Sequence, residues 1–193
     1  MTWRNCGRVL GIPLTLHGLG LSVALGLSLA AQSASAQQGR HDPLTPQQVD
    51  QIREAGIDPN NRILLYTKFV NEHVDTVRDL LKEGLSTSRA QKMDDELQMV
   101  TALADELGSN LDQYGARKAD LRRALKKLNE DAPKWMDAIR ALPAHPAFDL
   151  SRKEALESGQ DLRDEAAEML TEQTAYFKEH KEEKGQERAE PQN

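Results

Sequence analysis

The chain has 193 residues, with 25 Lys and Arg against 31 Asp and Glu, a formal net charge of −6, one cysteine and 4% aromatic residues. That charge makes nucleic acid a poor partner, and the lone Cys6 rules out an intrachain disulfide framework. A composition 29% charged and poor in aromatics suits elongated helices better than a thick mixed core.

Residues 1–36 read as a secretory signal peptide. Arg4 and Arg8 supply the positive start, Leu14 to Ala31 is apolar, small and uncharged, and Ala34-Ser35-Ala36 offers the small-x-small pattern of a cleavage site, leaving Gln37 first. The expectation is export, to the periplasm or the medium; the alternative is an uncleaved anchor, since the apolar stretch approaches the roughly 18–20 residues that span a bilayer. Cleavage would remove Cys6 and two arginines, taking the net charge from −6 to −8. Nothing after residue 36 is apolar enough to form a transmembrane segment. The expected organisation is a signal peptide over 1–36, a polar linker over 37–44, a helical domain over 45–184 and a disordered charged tail over 185–193.

Helix signals begin at Thr45 and Pro46, an N-cap followed by a first-turn proline, and a short helix should run to a stop at Gly56. Asp58 and Pro59 repeat the pattern and open a second helix ending near Gly84, with Ile63, Tyr66, Val70, Val77 and Leu80 on its apolar face and His73 in the same stripe. From Met93 to Leu142 apolar residues recur in alternating steps of three and four through Leu97, Leu111, Tyr114, Leu121, Leu128, Trp135 and Ile139, with Lys118 alone off-pattern. That heptad seam predicts one long helix of about 75–80 Å, kinked at most near Pro133, because a turn has no reason to keep heptad phase. Gly108 and Gly115 are its weak points, each costing about 1 kcal/mol relative to alanine. Pro143 and Pro146 end it, and Asp149 or Ser151 should cap a last helix reaching about Lys184, on which Gly159 and Ala166 would let a neighbouring backbone approach.

The fold expected is therefore all-α: an elongated antiparallel helical bundle or coiled coil with one long central helix, the alternative being a compact four-helix bundle broken near Gly115.

Little in the chain points to chemistry. His41, His73, His145 and His180 include no pair at the spacing that presents two imidazoles to a metal, and no calcium-loop, serine-elbow or phosphate-loop pattern occurs. No catalytic residue, metal ligand or cofactor is assigned, and an enzyme is not expected. Two features are candidate contacts. The loop 143–148 with His145 and Phe148, and Trp135 one helical span away, forms a candidate interaction tip, unless Phe148 plugs the bundle end as a staple. Arg117, Lys118, Arg122, Arg123, Lys126 and Lys127 form a candidate basic face for an acidic partner or anionic lipid, or else the charged edge of a coiled coil.

Leu44-Thr45-Pro46-Gln47-Gln48 resembles the Leu-Thr-x-x-Gln motif of the small, exported, all-helical stress chaperones and adaptors of the Spy and CpxP family. A second copy is absent, because Leu170-Thr171-Glu172-Gln173 places its glutamine one position early. The resemblance implies a periplasmic chaperone or adaptor with an open face for unfolded chains. More broadly, Asp58-Pro59, Arg62-Ile63 and Tyr66 with Phe69, followed by Ala119 to Leu128, look like uncharacterised exported helical proteins of environmental bacteria, which implies no activity. The expectation is a non-enzymatic interaction or scaffold protein of the cell envelope, with a protein partner or self-association; the alternatives are the chaperone and a bundle binding a metal or small ligand.

Overall fold

A computed structural model describes residues 42–181. The expected signal peptide, most of the linker and the charged tail lie outside the described residues.

Five helices and no strand make up the described residues. Helix α1, Pro46–Glu54, starts with a capping box: the Gln48 amide donates to the Thr45 hydroxyl at 3.2 Å and the Thr45 amide to Gln48 Oε1 at 2.8 Å. The residues that resemble a chaperone motif therefore have a local structural use here. Helix α2, Pro59–Lys82, is capped by Asp58, whose carboxylate accepts from the Asn60 amide at 2.9 Å, and ends at Gly84, where φ is +79°. Its expected apolar face is buried, with Ile63, Val70, Val74 and Val77 wholly enclosed.

The long central helix does not form. Helix α3, Thr87–Ala116, and helix α4, Arg122–Arg140, are separate, so the alternative with a break near Gly115 is the one the structure adopts. The break is a Schellman turn: the Lys118 amide donates to the Gly115 carbonyl at 2.9 Å and the Ala119 amide to the Tyr114 carbonyl at 3.1 Å, with Ala119 and Tyr114 both buried. Its left-handed residue is Lys118, at φ +55°, and not either glycine. Two groups distant in sequence then hold the connection. Asn60 of α2 accepts from the Ala124 amide at 3.1 Å, capping α4 where Leu121 has no capping side chain, and donates to the Asp120 carbonyl at 2.7 Å. Gln173 of the last helix accepts from the Leu121 amide at 2.8 Å and donates to the Ala119 carbonyl at 3.0 Å. Pro133, by contrast, lies inside a continuous α4.

Helix α5, Asp149–Glu179, begins after Phe148 without a side-chain cap. Neither expected cap acts as one: Asp149 accepts from the His145 amide at 3.0 Å, and Ser151, inside the helix, donates to Asp94 of α3.

Helices α2 to α5 form a four-helix ring in the order α2, α3, α5, α4; α2 and α5, like α3 and α4, are not neighbours and face each other across its diagonals. Contacts between His73 and Glu96 and between Tyr66 and Glu106 make α2 and α3 antiparallel, as the short hairpin demands. Asn60 with Ala124 and Asn71 with Trp135 make α2 and α4 parallel. Asp94 with Ser151 and Asp105 with Ser158 do the same for α3 and α5. The two hairpin turns thus share one end, the head, while the 117–121 connection and the end of α5 share the other, the foot, which α1 approaches after starting beside Glu72 at the middle of α2. Leu97, Leu103, Leu107, Leu111, Leu125, Leu128 and Ala132 fill the axis with no exposure, each large one contributing about 1.5–3 kcal/mol by burial.

Candidate ligand cleft

Where α3 and α5 run side by side toward the foot, α3 presents glycine to its neighbour twice. A Cβ on Gly108 would lie 3.4 Å from Glu165 Oε2, and one on Gly115 would lie 3.0 Å from the Met169 methyl. A Cβ at 108 would be in ordinary contact with Glu165, whereas one at 115 would crowd the Met169 methyl, so Gly115 is the position that makes room for a side chain of α5. Toward the foot the two helices flank an open cleft of about 480 Å³, within the range of small-molecule sites, walled by Asp112, Gly115 and Ala116 of α3, by Met169, Glu172, Gln173, Tyr176 and Phe177 of α5, and by Lys118.

The cleft mixes rings with carboxylates. Tyr176 meets Phe177 edge-on and stacks on His180 at 4.1 Å between centroids. Each ring also carries a cation of the chain itself: Lys118 Nζ is 5.6 Å from the centre of Tyr176, and the Arg122 guanidinium is 4.6 Å from the centre of Phe177. Immediately above, Glu165 is the poorly satisfied group. Its Oε1 is buried without a hydrogen-bond partner, and burial, reinforced by the Asp112 charge, pushes its carboxyl up to about 7.

The opposite seam, between α2 and α4, holds a polar network of another kind. Trp135 Nε1 donates to Asn71 Oδ1 at 2.6 Å, and Asn71 Nδ2 donates to Asp131 at 3.0 Å. Lys127 and Lys134 both reach the Asp131 carboxylate at 2.9 Å. Burial pushes that carboxyl up, but the hydrogen bonds from Asn71, Lys127 and Lys134 outweigh it and hold it below the usual range. Every polar group named in this network has a partner.

The interaction tip is corrected by burial. Phe148 is 1% and Trp135 2% exposed, so neither offers a side chain to a partner. Phe148 plugs the head, stacked on His145 at 5.0 Å, and Trp135 belongs to the polar network. The basic face is also divided, because the break separates Arg117 and Lys118 from the α4 residues. Arg122 forks onto Asp120 at 2.8 and 2.6 Å, Arg123 reaches Asn61 at 2.8 Å, and Lys127 serves Asp131, leaving Lys126 as the exposed remainder on α4. His73, expected as a histidine at the core edge, pairs with Glu96 at 2.7 Å across α2 and α3. Among the described residues no group of three or more His, Cys, Asp or Glu side chains is placed to hold a metal ion.

Asp112 and Glu172 of the cleft, and Glu165 above it, are hidden in the sequence because they look like members of solvated helix faces. The available signal was Gly115, which reads as helix weakness and not as room for a neighbour. Comparison of the chain with protein-family models, curated proteins and solved structures finds no match.

Proposed function

We propose that the chain is an exported, non-catalytic helical-bundle protein that holds a small organic ligand in the cleft between the feet of α3 and α5. The observation that carries this reading is the cleft itself: about 480 Å³ lined by the feet of α3 and α5, with Met169 packed against Gly115 on one wall and, beside Asp112, the Glu165 carboxylate with a buried oxygen that has no partner. The signal-like residues 1–36 support export, and the absence of cysteine, serine elbow and phosphate loop after them supports binding over catalysis. The extended scaffold and the Spy and CpxP-like chaperone both need an open apolar face. Val49, Ile57, Leu85 and Leu150 are the large hydrophobics exposed among the described residues, and they sit on four different segments, so those readings have less support. A screen of small organic compounds against protein labelled at its methionine methyls tests the proposal. Ligands should move the Met169 signal and leave the enclosed Met93 and Met136 signals in place; a diverse screen that never moves Met169 would remove it.

A further inference from the structure

The walls of the cleft select a class of ligand, provided that the cleft is the binding site proposed above. Two aromatic rings, a thioether and carboxylates converge there, and the chain already sets its own cations on both rings. Ring faces attract positive charge through their quadrupole, and a soft sulfur accommodates alkyl groups. With Arg122 paired to Asp120, the charged residues left lining the cleft are Asp112, Glu172 and Lys118, a balance that favours an incoming cation over an anion. Lys118 is also the least settled of the cleft cations. It stands at φ +55° on an exposed turn, a conformation that costs a side-chain-bearing residue energy, while Arg122 is locked onto Asp120 by two hydrogen bonds. An external cation therefore has one internal competitor to displace, the exposed side chain of Lys118.

From this we infer that the cleft binds an organic cation, an ammonium head on an apolar body, whose charge takes the place of Lys118 over Tyr176 between Asp112 and Glu172. The body lies along Met169. Neutral and anionic molecules of the same shape bind more weakly because they forgo both the ring face and the carboxylates.

The test uses the chain purified from a host that exports it, with labelled methionine methyls, titrated with hexyltrimethylammonium, 1-hexanol and hexanoate. Hexyltrimethylammonium should shift the Met169 methyl and bind at least about tenfold more tightly than the other two. Asp112→Asn with Glu172→Gln should weaken the cation about tenfold and leave hexanol unchanged. Lys118→Asn, in which asparagine tolerates the left-handed turn, should tighten the cation more than Lys178→Gln, an equal charge change at an exposed residue that does not line the cleft. Hexanol or hexanoate binding at Met169 as tightly as the cation would overturn the ligand class and leave the cleft standing. Failure of all three probes to move Met169 would overturn the inference and count against the cleft as well.

Discussion

The bundle has two seams between parallel helices, α2 with α4 and α3 with α5, and they solve the same packing problem in opposite ways. Between α2 and α4, asparagines at positions 60 and 71 spend their donors and acceptors on the partner helix, one capping it and the other joining Trp135 to Asp131. Between α3 and α5, serines 151 and 158 donate to Asp94 and Asp105 toward the head, but toward the foot Gly115 makes room for Met169 and Glu165 keeps an oxygen without a partner. A satisfied polar network fixes register and tolerates no loss, whereas an under-satisfied one stores a preference that a ligand or proton can use. The first seam holds the fold and the second has slack to give.

That contrast is broken most severely at Asn71. Asn71→Ala should cost about 3 kcal/mol, because it strands the buried Trp135 N–H and strips one hydrogen bond from the enclosed Asp131 carboxylate. Equilibrium urea denaturation should show the midpoint falling at unchanged slope. A loss under about 1 kcal/mol would mean that water reaches this seam and that the two seams differ less than their geometry says. Asn60→Ala should cost about 1–2 kcal/mol, the loss of an N-cap supplied from another helix. Amide exchange then separates a cap from a general packing effect, since Ala124 and its neighbours at the start of α4 should lose protection before the middle of the helix does.

These two asparagines also mark where sequence reasoning stops. Local signals are legible: Thr45 with Gln48, Asp58 with Pro59 and Gly84 begin or end helices where residues a few positions apart say they should. The apolar stripes of α2, α3 and α4 are legible too, because burial imposes a 3.6-residue period on the residues themselves. The α3–α4 break is legible only as an alternative, through the weak point at Gly115, for three physical reasons. Its left-handed residue is a lysine, its N-cap comes from Asn60 and its clamp from Gln173, so the groups that fix it are not its neighbours in sequence. Preserved heptad phase misleads as well. Each helix points its stripe at the same axis, and a connection over 117–121 can return the chain in phase without being helical. Lys118, the one residue off the heptad pattern, is the trace of the turn. The cleft is less legible still, since a carboxylate on a solvated face and one facing a glycine on another helix are identical in sequence.

Glu165 sharpens the comparison through pH. Its carboxyl sits at about 7 in the fold against an ordinary 4.5, so the folded state binds its proton more tightly than the unfolded chain does. This contribution is present in full below about pH 4.5 and is lost as pH rises through about 7. Glu165→Gln removes the charge and keeps the shape. It should stabilise the protein by about 1–2 kcal/mol at pH 8, after discounting for partial solvent access, and by nothing measurable at about pH 4. Thermal melts of both proteins across that range check the sign. Equal stability at the alkaline end would show the carboxylate to be well solvated and remove the main evidence of slack in the α3–α5 seam.

The smallest effect falls where the seam meets the connection. Lys118 bears a Cβ in a conformation that glycine adopts without strain, and relieving it should outweigh the added freedom of the unfolded chain by about 0.5–1 kcal/mol in Lys118→Gly. Against that gain stands the loss of its ammonium over Tyr176, 5.6 Å from the ring centre and, at an exposed residue, worth about 0.5–1 kcal/mol. The two terms are close enough that the sign of the change decides which matters. A rise in melting temperature means that backbone strain dominates, and that Lys118 leaves the ring at little cost when an outside cation arrives. A fall means that the ring contact dominates, and the lysine then acts as the cleft's own occupant, so that tight binding at the foot would require a ligand able to outcompete a tethered ammonium.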